Sequence, residues 1–308
     1  MKPIARILTI ILIIGTLLSS ACQPRNPSAQ PTGKKIIVVT YSVLGSLAKD
    51  LVGDMAYVVV LIPNGQDPHE WEPSAKDIET INKSDLVIQN GLGMEGGLTK
   101  TLEQARLNGV RLFTASDAIQ VRKVGKGEGI PNGGADQNVG ASDPHLWLDP
   151  LNMKIIVTAL VSNLKSVLGI DASARAASLE NRLDILNNEL AAEAATLTPE
   201  NRKLVTGHES MGYFAQRYSF KLIGAIIPSL TTQAEVSASD MATLTQLINA
   251  NHVRAVFTEL GTPPAVAEAI GKETGVKVIQ ISTHTLPPDG SYFTFMDNLM
   301  KTIVGALG

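Results

Sequence analysis

The sequence predicts an α/β protein of two lobes, each a mostly parallel sheet flanked by helices, with one long helix joining them. Three observations carry this reading. Short β-branched runs alternate with helix-like segments from Ile36 to Phe113, and the same alternation resumes from Lys203 to Ser282. Such alternation builds a parallel sheet covered by helices. Between the two series, Leu179, Leu183, Leu186, Leu190 and Leu197 recur at helical spacing, with Ala194 in the one gap. The expected organisation is a leader over 1–22, a tether over 23–34, a first lobe over 35–170, a bridging helix over 171–198 and a second lobe over 199–308.

The leader has the form of a secretory signal. Lys2 and Arg6 precede ILTIILIIGTLL, an apolar run of 12 residues, and small residues then lead to Cys22. That run is short for a spanning helix, which needs about 20 residues. Cys22 is the sole cysteine, so no internal disulfide forms. Its setting resembles a bacterial lipobox, although Ser19 stands where Leu is usual and Leu18 lies one step back. The resemblance implies cleavage before Cys22 and lipidation of its thiol. Each buried acyl CH₂ adds about 0.8 kcal/mol, so several chains anchor a protein stably. The following QPRNPSAQPTGKK has no apolar period and reads as a flexible tether. The folded part is expected to begin near Lys35, outside the cytoplasm.

In the first lobe, Ile36–Thr40 reads as a buried strand, and Ser42 as the cap of a helix that Gly53 closes. Tyr57–Ile62 is a second strand, followed by the turn-rich loop PNGQDPHEWEP. Ser74 opens a helix with Asp77 three residues on, the spacing of a capping box. Asp85–Gly91 and Val110–Phe113 continue the sheet. The segment from Gly125 to Ala141 holds six glycines and almost nothing apolar, so a long surface loop is expected there. The leucine stripe implies a helix of some 25 residues, about 35–40 Å long, enough to bridge two lobes.

In the second lobe, Lys203–Gly207, FKLIGAII, VRAVFTE and Val276–Ser282 read as strands. Helices are expected from about Ser210 to Tyr218, from a Ser239 cap through Asn249, across PPAVAEAIGKETG, and from Tyr292 to Leu307.

Composition excludes one class of partner. A formal net charge of −3 leaves no basic patch for nucleic acid, and 4% aromatic residues leave few stacking platforms.

Four of the five histidines occupy similar positions. His69, His208 and His284 each follow a strand within a few residues, and His145 lies in the turn-like DPHLWLDP. His252, between a helix end and a strand, reads as structural. The C-terminal ends of strands line the ligand crevice of an open α/β sheet, so two facing lobes would bring these four imidazoles to one cleft. Imidazole suits zinc, copper and nickel better than calcium or magnesium.

The segments PHEWEPS (68–74), DPHLWLDP (143–150) and TGHESMGYF (206–214) resemble the signatures of solute-binding proteins of zinc and manganese ABC importers. The resemblance extends through IIPSLTTQAEVSASDMATLTQLI and VFTELGTPPAVAEAIGKETG to the final strand, covering nearly all of 36–308. It implies two α/β lobes joined by one rigid helix and metal ligands at His69, His145 and His208. The fourth family ligand is usually Asp. The matching segment here is STHTL, which places His284 there, with Asp289 of the PPDG turn as the alternative. The family also implies an ABC permease and its ATPase as partners, a divalent metal as cargo, and a monomer held at the membrane by its lipid. An adhesin label often accompanies it.

Four neutral imidazoles favour Zn²⁺, which accepts four nitrogens in a tetrahedron, over manganese, which prefers oxygen and lies at the weak end of the affinity order, and over iron. Metal affinity should fall below about pH 6, where imidazoles protonate. Candidates for orienting the imidazoles are Asp67, Asp143, Asp149, Glu209 and Glu259, and Trp71 and Trp147 are candidates for walling the site from water. Two other readings carry less. A zinc hydrolase with Glu209 as general base needs an open metal position, which four protein ligands would close. An organic-solute cleft would call for an Arg or several aromatics in these loops.

Overall fold

The computed structural model describes residues 33–125, Glu128 and residues 139–308. The signal segment, Cys22 and the tether as far as residue 32 lie outside the described residues, as does most of the 125–141 loop.

In the first lobe, β1 (Lys35–Tyr41) is buried from Ile37 onward because it runs between two neighbours. The strand order is β2 (Ala56–Ile62), β1, β3 (Leu86–Gln89), β4 (Leu112–Thr114), and every pairing is parallel. Helix α1 (Ser42–Val52) follows β1 directly. Ser42 is its first helical residue and not its cap: Tyr41 holds the cap position without a side-chain bond. The Ser42 hydroxyl instead donates to the His284 carbonyl at 3.5 Å. Gly53, at φ +50, ends the helix as expected. Helix α2 (Ala75–Asn82) starts with the Ser74–Asp77 capping box, and α3 (Thr99–Leu107) precedes β4.

Helix α4 (Pro150–Leu168), like α3, is not among the helices expected from the sequence. Asp149 caps it by accepting from the Leu151 N–H at 2.9 Å, with Pro150 in the first turn and Gly169 closing at φ +71. Met153, Ile156, Val157, Leu160 and Leu164 form its buried stripe. The signals are all local. The Asp-Pro pair that reads as a turn is also a standard helix start.

Helix α5 (Ser173–Ala195) is the expected long helix, 23 residues and about 35 Å. It packs against α1, α4, α6 (Gly212–Tyr218) and α9 (Tyr292–Leu307). Its buried residues Leu179, Leu183, Leu186 and Leu190 belong to one apolar core that runs from Ile37 in β1 to Leu307 in α9.

The second lobe hydrogen-bonds its strands as two parallel pairs. These are β5 (Lys203–Thr206) with β6 (Lys221–Ala225), and β7 (Ala255–Thr258) with β8 (Lys277–Gln280). Strand β5 runs beside β7. Helices α7 (Ala238–Ala250) and α8 (Pro264–Thr274) cover them around a smaller core of Val205, Ile223, Leu244, Val256 and Ile270. Ser237, and not Ser239, caps α7. Only Ser237 lies three residues before Asp240, whose carboxylate returns the bond to the cap N–H at 3.0 Å. His252 is exposed at φ +50 in the turn between α7 and β7, outside the group formed by the other four histidines.

Candidate metal centre

The loops leaving β2, β5 and β8, together with the segment before α4, meet at one crevice and carry His69, His208, His284 and His145. One ring nitrogen from each of the four lies within 4.8 Å of the others. His145 and His208 are fully buried, and His284 nearly so. His69, at 3% exposure, borders an opening of about 280 Å³ lined by Leu92, Pro144, Leu230 and Gln233.

In the first lobe, two Asp-Pro-His tripeptides hold their histidines in the same way. Asp67 Oδ1 accepts the His69 N–H at 2.9 Å, and Asp143 Oδ1 accepts the His145 N–H at 3.0 Å. Each is an Asx turn with its middle φ set by proline. Asp143 Oδ1 also lies 2.9 Å from His145 Nδ1, so that nitrogen donates and Nε2 keeps the lone pair. Asp143 Oδ2 accepts from Arg122 at 3.0 Å. The base of the 125–141 loop is closed beside it, with Val124 N–H donating to Ala141 and Asp143 N–H donating to Arg122. The His69 loop is tied across the crevice. Thr232 donates to Asp67 Oδ2 at 2.7 Å, and Gln233 donates to the His69 carbonyl at 2.8 Å.

In the second lobe, one carboxylate does the orienting. Glu259, directly after β7, accepts from the His208 N–H at 3.0 Å and from Ser210 Oγ at 3.1 Å. It also accepts from the Thr283 hydroxyl. Its Oε1 lies 2.9 Å from His208 Nδ1, within ion-pair range but out of hydrogen-bond alignment. Gly207 makes this approach possible: a Cβ there would sit 2.8 Å from Glu259 Cγ and 2.0 Å from Thr262 Oγ1. Trp147 closes the floor, edge-on to His145 at 5.4 Å between centroids and tilted against His284 at 5.6 Å. Its indole N–H donates to the Thr283 carbonyl at 2.8 Å.

The other sequence candidates serve elsewhere. Asp149, besides capping α4, forms a two-pronged ion pair with Arg217 of α6 at 2.9 and 2.7 Å. Glu209 is buried with Oε1 unpartnered, and burial pushes its carboxyl up to about 7. Trp71 is partly buried against the first-lobe core. Asp289 is exposed just before α9, whose cap is Ser291, and accepts from the Ser291 N–H and the Thr294 hydroxyl, so it stands apart from the four histidines. Thr283, Ser210, Thr232 and Gln233 were not legible as site residues, because each reaches its partner only through the fold.

The charges suit a cation. Burial, then the neighbouring histidines, holds His69 well below the ordinary imidazole range. Burial also lowers His145, and it lowers His284 to about 3. His208 moves the other way: burial opposes its charge, but Glu259 and the other nearby carboxylates outweigh burial and raise it. Burial likewise opposes the charge on Glu259, yet His208 and the converging donors hold that carboxyl down to about 2. Neutral imidazole is the form that ligates metal. His145 Nε2 and His208 Nε2 face each other at 3.0 Å, and His69 Nε2 and His284 Nε2 have no partner. Lone pairs so placed call for a cation between them. Zinc–nitrogen distances of about 2.0–2.1 Å imply tetrahedral edges of roughly 3.3–3.4 Å; here one nitrogen pair stands at 3.0 Å and all four lie within 4.8 Å of one another.

Residues 37–306 match the family described as zinc-uptake complex component A periplasmic. The chain belongs to this family. The chain is a binding protein and not an enzyme, as the family description and the relatives named for substrate and zinc binding show. Among relatives of this zinc-uptake family member, the manganese ABC transporter substrate-binding lipoprotein PsaA of Streptococcus pneumoniae is 27% identical, with 99% of each chain covered. The zinc-binding protein TroA of Treponema pallidum is also 27% identical, with 98% of each covered. The solved structure of TroA superposes with a TM-score of 0.78 at 26% identity, covering 90% of this chain and all of that one. A manganese-bound periplasmic metal-binding protein from Candidatus Liberibacter asiaticus shares the fold, with a TM-score of 0.75 at 20% identity over 89% of this chain.

Proposed function

We propose that this chain is the extracytoplasmic metal-binding component of an ABC importer and that its cargo is Zn²⁺, held by His69, His145, His208 and His284. The convergence of four buried imidazoles, two with unpartnered Nε2 atoms, carries this reading. A buried polar atom without a partner costs free energy, which a bound cation recovers. Relatives named for zinc and for manganese are equally similar, so their names do not choose the metal. Donor chemistry favours zinc. All four converging donors are imidazole nitrogens, while Asp143 and Glu259 are engaged behind the rings. Manganese sits at the weak end of the affinity order and prefers oxygen.

The partners follow from this reading: a permease that accepts the metal and an ATPase that drives it. Relatives named as lipoproteins, together with Cys22, support a membrane anchor. Chelator-competition titration of the metal-stripped protein tests the cargo. We expect zinc binding much tighter than about 1 μM, or about −8 kcal/mol, and manganese binding at least about tenfold weaker. Zinc binding weaker than micromolar would overturn the reading. His284→Asp should move selectivity toward manganese by supplying an oxygen donor.

A further inference from the structure

We infer that Thr283 is a positioning residue that holds His284 with its proton on Nδ1, so that Nε2 presents its lone pair to the other three imidazoles. The inference rests on the metal reading of the same four histidines and adds how the fourth is prepared to bind.

The argument follows the protons. Thr283 is 1% exposed and stands between Glu259 and His284. Its hydroxyl donates to Glu259 Oε2, and the same oxygen lies 2.9 Å from His284 Nδ1. A hydroxyl has one proton to give. Glu259 cannot return one, because backbone N–H and hydroxyl donors converge on both its oxygens from His208, Ser210 and Thr283. The threonine proton is therefore committed to Glu259, and only lone pairs face His284. Nδ1 must then be the donor. In a neutral imidazole the other nitrogen is the acceptor, and it is Nε2 of His284 that has no partner in the structure.

Local constraints keep this arrangement in place. The Thr283 carbonyl is pinned by the Trp147 indole, and the β-branched side chain has few χ1 choices. On the next turn of the loop, Asn64 holds Leu286 through both amide atoms at 2.8 and 2.9 Å. Glu259 thereby orients two histidines, with His208 beside it and His284 reached through the hydroxyl. At His145 the carboxylate of Asp143 acts on the ring directly.

The test is nitrogen NMR of ¹⁵N-histidine-labelled, metal-free protein at neutral pH, with the His284 ring assigned by its absence in His284→Asn. It is paired with zinc affinity by chelator competition. In the unsubstituted protein the His284 ring should show a protonated Nδ1 and an unprotonated Nε2. Thr283→Val, close in shape, should lose that tautomer preference and weaken zinc binding about 10–100-fold. Thr283→Ser should keep the tautomer and restore affinity to within a few-fold of the original. A protonated Nε2 in the unsubstituted protein overturns the inference. So does Thr283→Val with both tautomer and affinity unchanged. Should Thr283→Val fail to fold, the unsubstituted spectrum and Thr283→Ser decide the matter. Absence of zinc binding in the unsubstituted protein sinks the metal reading instead, and the tautomer is still read from the metal-free spectrum.

Discussion

His69 and His145 each take support from a carboxylate two residues earlier, within an Asp-Pro-His tripeptide, whereas His208 and His284 share Glu259, which lies 51 residues after the one and well before the other. The first lobe positions its ligands by local turn chemistry repeated twice. The second lobe positions both of its ligands through one buried charge that several strands and loops must bring into place. Local support is redundant, since losing one aspartate leaves the other turn intact. Shared support is concentrated, since losing Glu259 strips the partner from His208 and releases the Thr283 hydroxyl from its duty.

Removing one imidazole from each lobe tests the foundation of this comparison and should have the largest effect. Structural zinc sites are worth roughly 10–16 kcal/mol, so a quarter share is roughly 2.5–4 kcal/mol, or about 10²–10³-fold in affinity. His145→Ala and His208→Ala should both lose about that much by competition titration. An unchanged affinity in either would remove that histidine from the site.

The comparison sharpens one step outward. Asp143→Asn disturbs the partner of one histidine and should cost zinc affinity about tenfold, whereas Glu259→Gln disturbs two and should cost about a hundredfold or more. Equal losses would show that the two lobes hold their histidines alike.

Acid separates His208 from the other three histidines by sign. His69, His145 and His284 are depressed in the folded state, so the unfolded chain binds more protons below its own imidazole range near 6.5. Stability of the metal-free protein from these groups is complete above that pH and is lost as pH falls toward their folded values, about 3 for His284. His208 is raised and contributes in the opposite sense, favouring the folded state at lower pH. Thermal midpoints of metal-free protein should therefore fall by several degrees between pH 7.5 and pH 5. His69→Gln should flatten that slope, and His208→Gln should steepen it.

The smallest effects concern features the two lobes share. Ser74→Ala and Ser237→Ala each remove a capping box that makes no hydrogen bond to the four histidines. Each should cost about 1 kcal/mol and shift the midpoint by about 2–4 °C. Zinc affinity should stay unchanged in both; a change in either would tie that helix start to the site.

The elements themselves were legible wherever one short-range signal prevailed. The leucine stripe marks α5, and Gly53 marks the end of α1. The misreadings also have physical reasons. Ser42 has the chemistry of a cap but spends its hydroxyl across the crevice on His284. Two serines compete to start α7, and spacing to Asp240 selects Ser237. Asp149 reads as a turn or an imidazole partner, yet it starts α4 and pairs with Arg217 from the other lobe.

What the sequence determined by itself is everything whose cause lies within a few residues: the alternation that makes parallel strand pairing in both lobes, the two Asp-Pro-His turns, and four histidines placed at strand ends or loop edges. Those histidines are too far apart in the chain to advertise a site by spacing. What the tertiary structure alone decided is their company: that four rings meet, that Asp289 stays outside, that Glu259 rather than Glu209 or Asp149 lies behind His208, and that Thr283 stands between Glu259 and His284. Hydrogen bonds and ion pairs act over about 3 Å, and residues dozens of positions apart come within that range only after the strands, helices and core have folded.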